Sequence, residues 1–160
     1  MATSRSTDAE AIALMAELAE RGSVQDHYNP LGNYLLELWE VDQSPDAPSR
    51  VERVFASLPA EYQPFLSLPV GAEYFRPLDA AAARVELLEL LTTGLRYFEA
   101  FKEVSAAQAF IGRLQGWLGS RAEYLSGQGR LVFRVPHWVD AGVAFASTER
   151  AGFLWCLGTD

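Results

Sequence analysis

Residues 79–125 read DAAAARVELLELLTTGLRYFEAFKEVSAAQAFIGRLQGWLGSRAEYL, and the fold turns on how that stretch is taken. On a helical wheel of about 100° per residue, Leu87, Leu88, Leu91, Leu95, Phe98 and Phe101 share one arc. Glu86, Glu89, Thr92, Thr93, Arg96, Glu99 and Glu103 take the other side, so one face is buried and one is wet. Asp79 is a good N-cap, because its carboxylate accepts from the free amides of the first turn. The spacing predicts a helix over 80–103, with Gly94 on the apolar side where another element comes close.

Ser105-Ala106-Ala107-Gln108 is a capping-box pattern and predicts a second helix over 106–124. Phe110, Ile111, Leu114, Trp117 and Leu118 form one bulky stripe. Ser105, Ala109, Gly112, Gly116 and Gly119 form a small-residue stripe almost opposite. A glycine inside a helix costs about 1 kcal/mol against alanine, so close approach by another backbone is the expected compensation. The expected neighbour lies within the monomer, which would make this a central helix packed on both sides. The alternative is that the smooth face docks a partner, or a second copy as a homodimer through Gly112 and Gly116.

Outward from this pair, residues 1–6 read as a frayed tail and 7–58 as N-terminal helices. Thr7-Asp8-Ala9-Glu10 opens a helix over 8–21, with Ile12, Met15, Leu18 and Ala19 inward and Gly22 after its end. Asn29-Pro30 starts a helix over 30–41, with Leu31, Tyr34, Leu35, Leu38 and Trp39 on its core side. Ser49 caps a third over 50–58, with Val51, Val54, Phe55 and Leu58 inward. Between 59 and 78, Pro59, Pro64, Pro69 and Pro77 alternate with Tyr62, Phe65, Tyr74 and Phe75. That spacing allows no long helix and predicts an irregular wrap, with a short edge strand over 72–76.

After Ser126-Gly127-Gln128-Gly129 the pattern turns to strands over 126–160. Residues 130–135 alternate weakly and carry the β-branched or aromatic Val132, Phe133 and Val135, and 142–146 and 153–157 flank the polar turn Ser147-Thr148-Glu149-Arg150 as a hairpin. The expected fold is a single α+β domain over 1–160. It is helix-dominated, with about five helices and a small C-terminal antiparallel sheet packed on the central pair.

Composition narrows function. The chain has 160 residues, 49% hydrophobic and 12% aromatic, with a net charge of −8. Nearly all the excess acid lies before residue 79, which disfavours nucleic acid and favours a basic protein partner. The single cysteine, Cys156, sits among apolar residues and reads as a buried hydrophobe in a reducing, cytoplasmic setting. Glu10, Glu17 and Glu20 interrupt any signal-peptide core, and no run is long enough to span a membrane.

Motifs for catalysis are scarce. The sequence has no Gly-Lys-Ser/Thr phosphate loop, no G-x-S-x-G elbow and no H-E-x-x-H. Gly127-Gln128-Gly129 lacks the third glycine of a dinucleotide fingerprint. His137, with Asp140 nearby to orient it, and His27 are both read as structural. Glu17/Glu20, Glu37/Glu40 and Glu86/Glu89 have i,i+3 spacing, and the first two pairs would suit a metal-dependent hydrolase if both lay on helices. A pocket lined by Trp117, Trp138 and Trp155 would suit a small ligand. No catalytic residue, metal or cofactor is assigned.

The leading expectation is a non-catalytic acidic protein-binding module, such as an inhibitor, an immunity-type protein or a chaperone. Its expected surface comprises Glu37, Glu40, Asp42, Asp46 and Glu52, with Tyr34 and Trp39 as aromatic anchors. The second surface is the stripe from Ser105 to Gly119.

Overall fold

The segment expected as the helix over 30–41 is a strand, and that exchange reorganises the molecule. A computed structural model describes residues 3–22, 31–42, 46–66, 70–93, 99–127, 132–133 and 138–159. In chain order they form β1 (Ser4–Arg5), α1 (Ala9–Gly22), β2 (Tyr34–Glu40), α2 (Ala47–Ser57), β3 (Arg76–Leu78), α3 (Ala80–Thr92), α4 (Val104–Leu118), β4 (Glu123–Ser126), β5 (Trp138–Ala146) and β6 (Arg150–Thr159). The six strands make one sheet in the order β1-β2-β6-β5-β4-β3, with every neighbouring pair antiparallel.

The expected helix-dominated fold with five helices and a small C-terminal sheet is therefore wrong. Four α-helices stand among the described residues, and strands from both ends of the chain build the sheet. The 1–6 tail supplies β1, and the 7–58 region holds β2 between its two helices. Leu31, Tyr34, Leu35, Leu38 and Trp39 do fit a helical stripe. A strand buried on both faces is apolar at nearly every position, however, and satisfies the same spacing. Along β2, Tyr34, Leu36 and Leu38 join one core, while Leu35 and Trp39 join the other.

Those two cores lie on opposite faces of the sheet. On one face α1, α3 and α4 pack over Tyr34, Leu36, Tyr124, Val143, Phe145, Leu154 and Cys156. On the other, α2 together with Tyr62, Phe65, Tyr74 and Phe75 covers Leu35, Trp39, Ala144, Phe153, Trp155 and Leu157. Covering both faces lets the central strands β6 and β5 be apolar at most positions. Phe55 of α2 stacks on Phe153 at 4.5 Å between centroids and meets Trp155 edge-on at 6.1 Å. Gly127 and Gly142 make room for Trp155: a Cβ at either position would collide with the indole.

Local chemistry sets the helix ends. The Asp8 carboxylate accepts from the Glu10 and Ala11 amides, so it, rather than Thr7, caps α1. Ala11, Leu14 and Leu18 are the inward residues, whereas Ile12 is 50% exposed, so the helix is rotated from its expected face. Asp46 caps α2 by accepting from the Ser49 amide at 2.8 Å, with Pro48 in the first turn, so this helix starts ahead of its expected cap at Ser49. Asp79 caps α3 as expected, accepting from the Ala82 amide at 2.7 Å.

The expected helix over 80–103 stops at Thr92, and the one over 106–124 runs from Val104 to Leu118. Gly119, at φ 89°, takes the C-cap position, and residues 123–126 belong to the sheet. The 147–150 turn joins β5 to β6 as expected, with the Ser147 amide donating to the Arg150 carbonyl. The edge strand expected over 72–76 falls instead at Arg76–Leu78, and Phe133 bridges to Leu66 beside the wrap.

Candidate functional site

The acidic face expected around Glu37–Glu52 does not exist as one surface, because a strand sends neighbouring residues to opposite sides. Tyr34 is buried under α3 and donates its hydroxyl to the Leu90 carbonyl at 2.7 Å. Trp39 is buried on the other face, so neither aromatic is offered to solvent as an anchor. Glu40 is half-buried, accepts from the Ser6 hydroxyl and lies 3.9 Å from Arg150. Asp46 is exposed and occupied as the α2 cap, which holds its carboxyl below its ordinary value. Asp42 and Glu52 are partly exposed.

Glu37 is 5% exposed in a face that is otherwise apolar. Arg5, reaching from β1, donates to its Oε1 at 2.6 and 3.1 Å, and the Trp39 indole donates to the same oxygen at 3.2 Å. Burial raises the Glu37 carboxyl above its ordinary value despite Arg5. The neighbouring Tyr62 hydroxyl is pushed up by its own burial and by Glu37.

Asp140 is a second buried carboxylate, 5% exposed on β5. Its Oδ2 accepts from the Trp155 indole at 2.6 Å and from the Val132 and Phe133 amides at 2.9 and 3.3 Å, while Oδ1 has no partner among the described residues. Burial raises its pKa to about 6 against those three donors. It clamps residues 132–133 to the sheet. Asp140 is expected from the sequence only as a companion of His137, although a lone acid within the apolar run 138–146 is the mark of a buried carboxylate. His137 and His27 lie outside the described residues.

The other chemical constellations come apart. Glu37 and Glu40 are on opposite faces of β2, so they cannot join Glu17 and Glu20 around a metal. Glu17 pairs with Arg21 and Arg113, and Glu86 with Arg76 and Ser126. Glu20 and Glu89 are exposed. Among the described residues, no cluster of three or more acids, histidines and cysteines is placed to hold a metal ion. Trp117 and Trp155 belong to cores on opposite faces and share no pocket, while the side chain of Trp138 lies outside the described residues.

The α4 stripe survives as a surface. Phe110, Ile111, Leu114, Trp117 and Leu118 are buried, as expected. Ser105, Ala109, Gly112, Gly116 and Gly119 are all exposed, so the expected second neighbour inside the monomer is absent among the described residues. A Cβ built on Gly112, Gly116 or Gly119 would meet nothing within 4 Å. The reason is the layer: α4 packs against both α1 and α3, its inner face meets the core, and among the described residues none covers its outer glycines.

Arg113 ties the helix to α1 through Glu10 and Glu17, at 2.9 and 3.3 Å. At the far end, Arg150 stacks on Trp117 at 4.6 Å and donates to its carbonyl, fixing the β5–β6 turn against α4. Two open depressions, of about 560 and 490 Å³, meet at Gly116, Gly119 and Ser120. No helix among the described residues is long and apolar enough to cross a membrane. Comparison with protein-family models, curated proteins and solved structures gives no match.

Proposed function

We propose that this chain is a non-catalytic, cytoplasmic protein-binding module whose docking face is the outer side of α4. The observation that carries the reading is the open space over Gly112 and Gly116. Each interior glycine costs about 1 kcal/mol in helix stability, and no described neighbour uses the room it leaves. A backbone arriving from outside, from a partner or a second copy, is the remaining use for a flat helix face. The net charge of −8 favours a basic partner, in keeping with an inhibitor, immunity-type or chaperone role.

Gly116→Leu tests this. The variant is expected to melt at or above the parent temperature, since leucine is the better helix former and meets no obstruction. It is also expected to lose self-association in sedimentation, or the partner that the parent retains in affinity capture from its host. A variant that keeps every association, or that melts well below the parent, refutes the proposal.

A further inference from the structure

Strand β1 covers only the far end of β2. Its register pairs Ser4 with Glu40 and Arg5 with Trp39, and the Ser6 amide donates to the Leu38 carbonyl at 2.8 Å. On this side the even-numbered residues of β2 present their backbone groups. The odd-numbered ones bond to β6, a phase continued at both ends by Val41 donating to Glu149 and Leu157 donating to Asn33. Leu36 therefore points its N–H and C=O outward, past the end of β1. No strand among the described residues pairs with it there.

A groove of about 480 Å³ lies at this point, and its lining fixes its position. Ile12, Met15 and Ala16 of α1 come from the helix-covered face of the sheet, and Glu61 and Tyr62 from the opposite face. Leu36 of β2 and Arg5 and Ser6 beside it complete the lining. A cavity that touches both faces of a sheet lies across its edge.

We propose that this edge binds an extended, basic segment of a partner protein as an added strand in line with β1. The outward backbone groups of Leu36 supply the pairing that an incoming strand needs. Alternate side chains of that strand fall on alternate flanks. On the α1 flank they meet Ile12 and Met15, which suits apolar groups. On the other flank they meet Glu61, an exposed carboxylate beside the Arg5–Glu37 pair. Two carboxylates face one guanidinium there, leaving one negative charge for a lysine or arginine. This surface is on a different part of the molecule from the α4 face, so each reading stands or falls without the other.

The test is to pan the intact protein against displayed random seven-residue peptides and then follow the Leu36 amide by NMR hydrogen exchange with the best synthetic binder. Expected are peptides that alternate apolar and polar residues and include a base, and that slow Leu36 exchange about tenfold or more at saturation. Methylating alternate backbone nitrogens of the peptide should abolish binding. Glu61→Lys should weaken it about fivefold, and Gly116→Leu should leave it unchanged. Failure to enrich any peptide overturns the proposal, as do binders that leave Leu36 exchange unaltered. A free protein whose Leu36 is already protected within a dimer also overturns it, and makes a second copy the occupant.

Discussion

Asp140 makes the stability of this protein depend on pH in a direction opposite to ordinary acid denaturation, and Asp140→Asn should remove that dependence. Its pKa stands at about 6 in the fold against 3.8 for a free aspartate. Between those values the folded chain holds a proton that the unfolded chain has released. The group's stabilising contribution is therefore complete below pH ~4 and is lost as pH rises through ~6. A shift of about two units limits the total to about 3 kcal/mol. Linkage then gives a gain of about 1 kcal/mol on going from pH 7 to pH 5.

The asparagine variant keeps a side-chain oxygen for the Trp155, Val132 and Phe133 donors and cannot titrate. Urea unfolding of both proteins at pH 5, 6 and 7, followed by tryptophan fluorescence, measures the difference directly. Other titrating groups, including Glu37 with its raised pKa and Asp46 with its lowered one, are common to both proteins and cancel. The parent should gain on its variant by about 1 kcal/mol or more between pH 7 and pH 5. A difference that stays constant, or that grows toward pH 7, refutes the reasoning.

Two further outcomes follow from the packing. Arg5→Ala leaves the Glu37 carboxylate buried without its guanidinium partner and should cost about 1–3 kcal/mol in urea unfolding, less than a fully buried pair because Arg5 is partly exposed. Arg5→Ala with Glu37→Leu should recover much of that loss. Gly142→Ala drives a methyl into the Trp155 indole and should lower stability by about 1–3 kcal/mol, whereas Gly112→Ala, in open space, should raise the melting temperature.

Much of the helical layer was legible. The buried stripe of α4, the Asp79 cap, the inward residues of α2 and the β5–β6 hairpin all follow from spacing and capping chemistry, because each element has one wet face to set its period. β2 was not legible for the opposite reason. With both faces covered, its hydrophobicity has no period, and Glu37 gave the appearance of a polar side. The pairing partners of a strand are also remote in sequence: β2 lies against residues 150–156, and nothing local announces that.

The same geometry explains why the residues expected as an acidic surface are scattered while the small-residue stripe of α4 lies on one exposed face. A surface inferred from a helix period survives only if the element is a helix. Ser105–Gly119 met that condition, and Tyr34–Glu40 did not. What no local pattern showed is where the fold runs out of its own partners. A middle helix in a layer of three has an outer face whatever its residues, so small residues at Gly112 and Gly116 cost stability without easing a contact to any described residue. Likewise, among the described residues the two-residue β1 pairs with only part of the seven-residue β2, and the groove lies past its end at Leu36. Both candidate surfaces are thus properties of how elements of unequal size meet, and they emerge only once the sheet order is known.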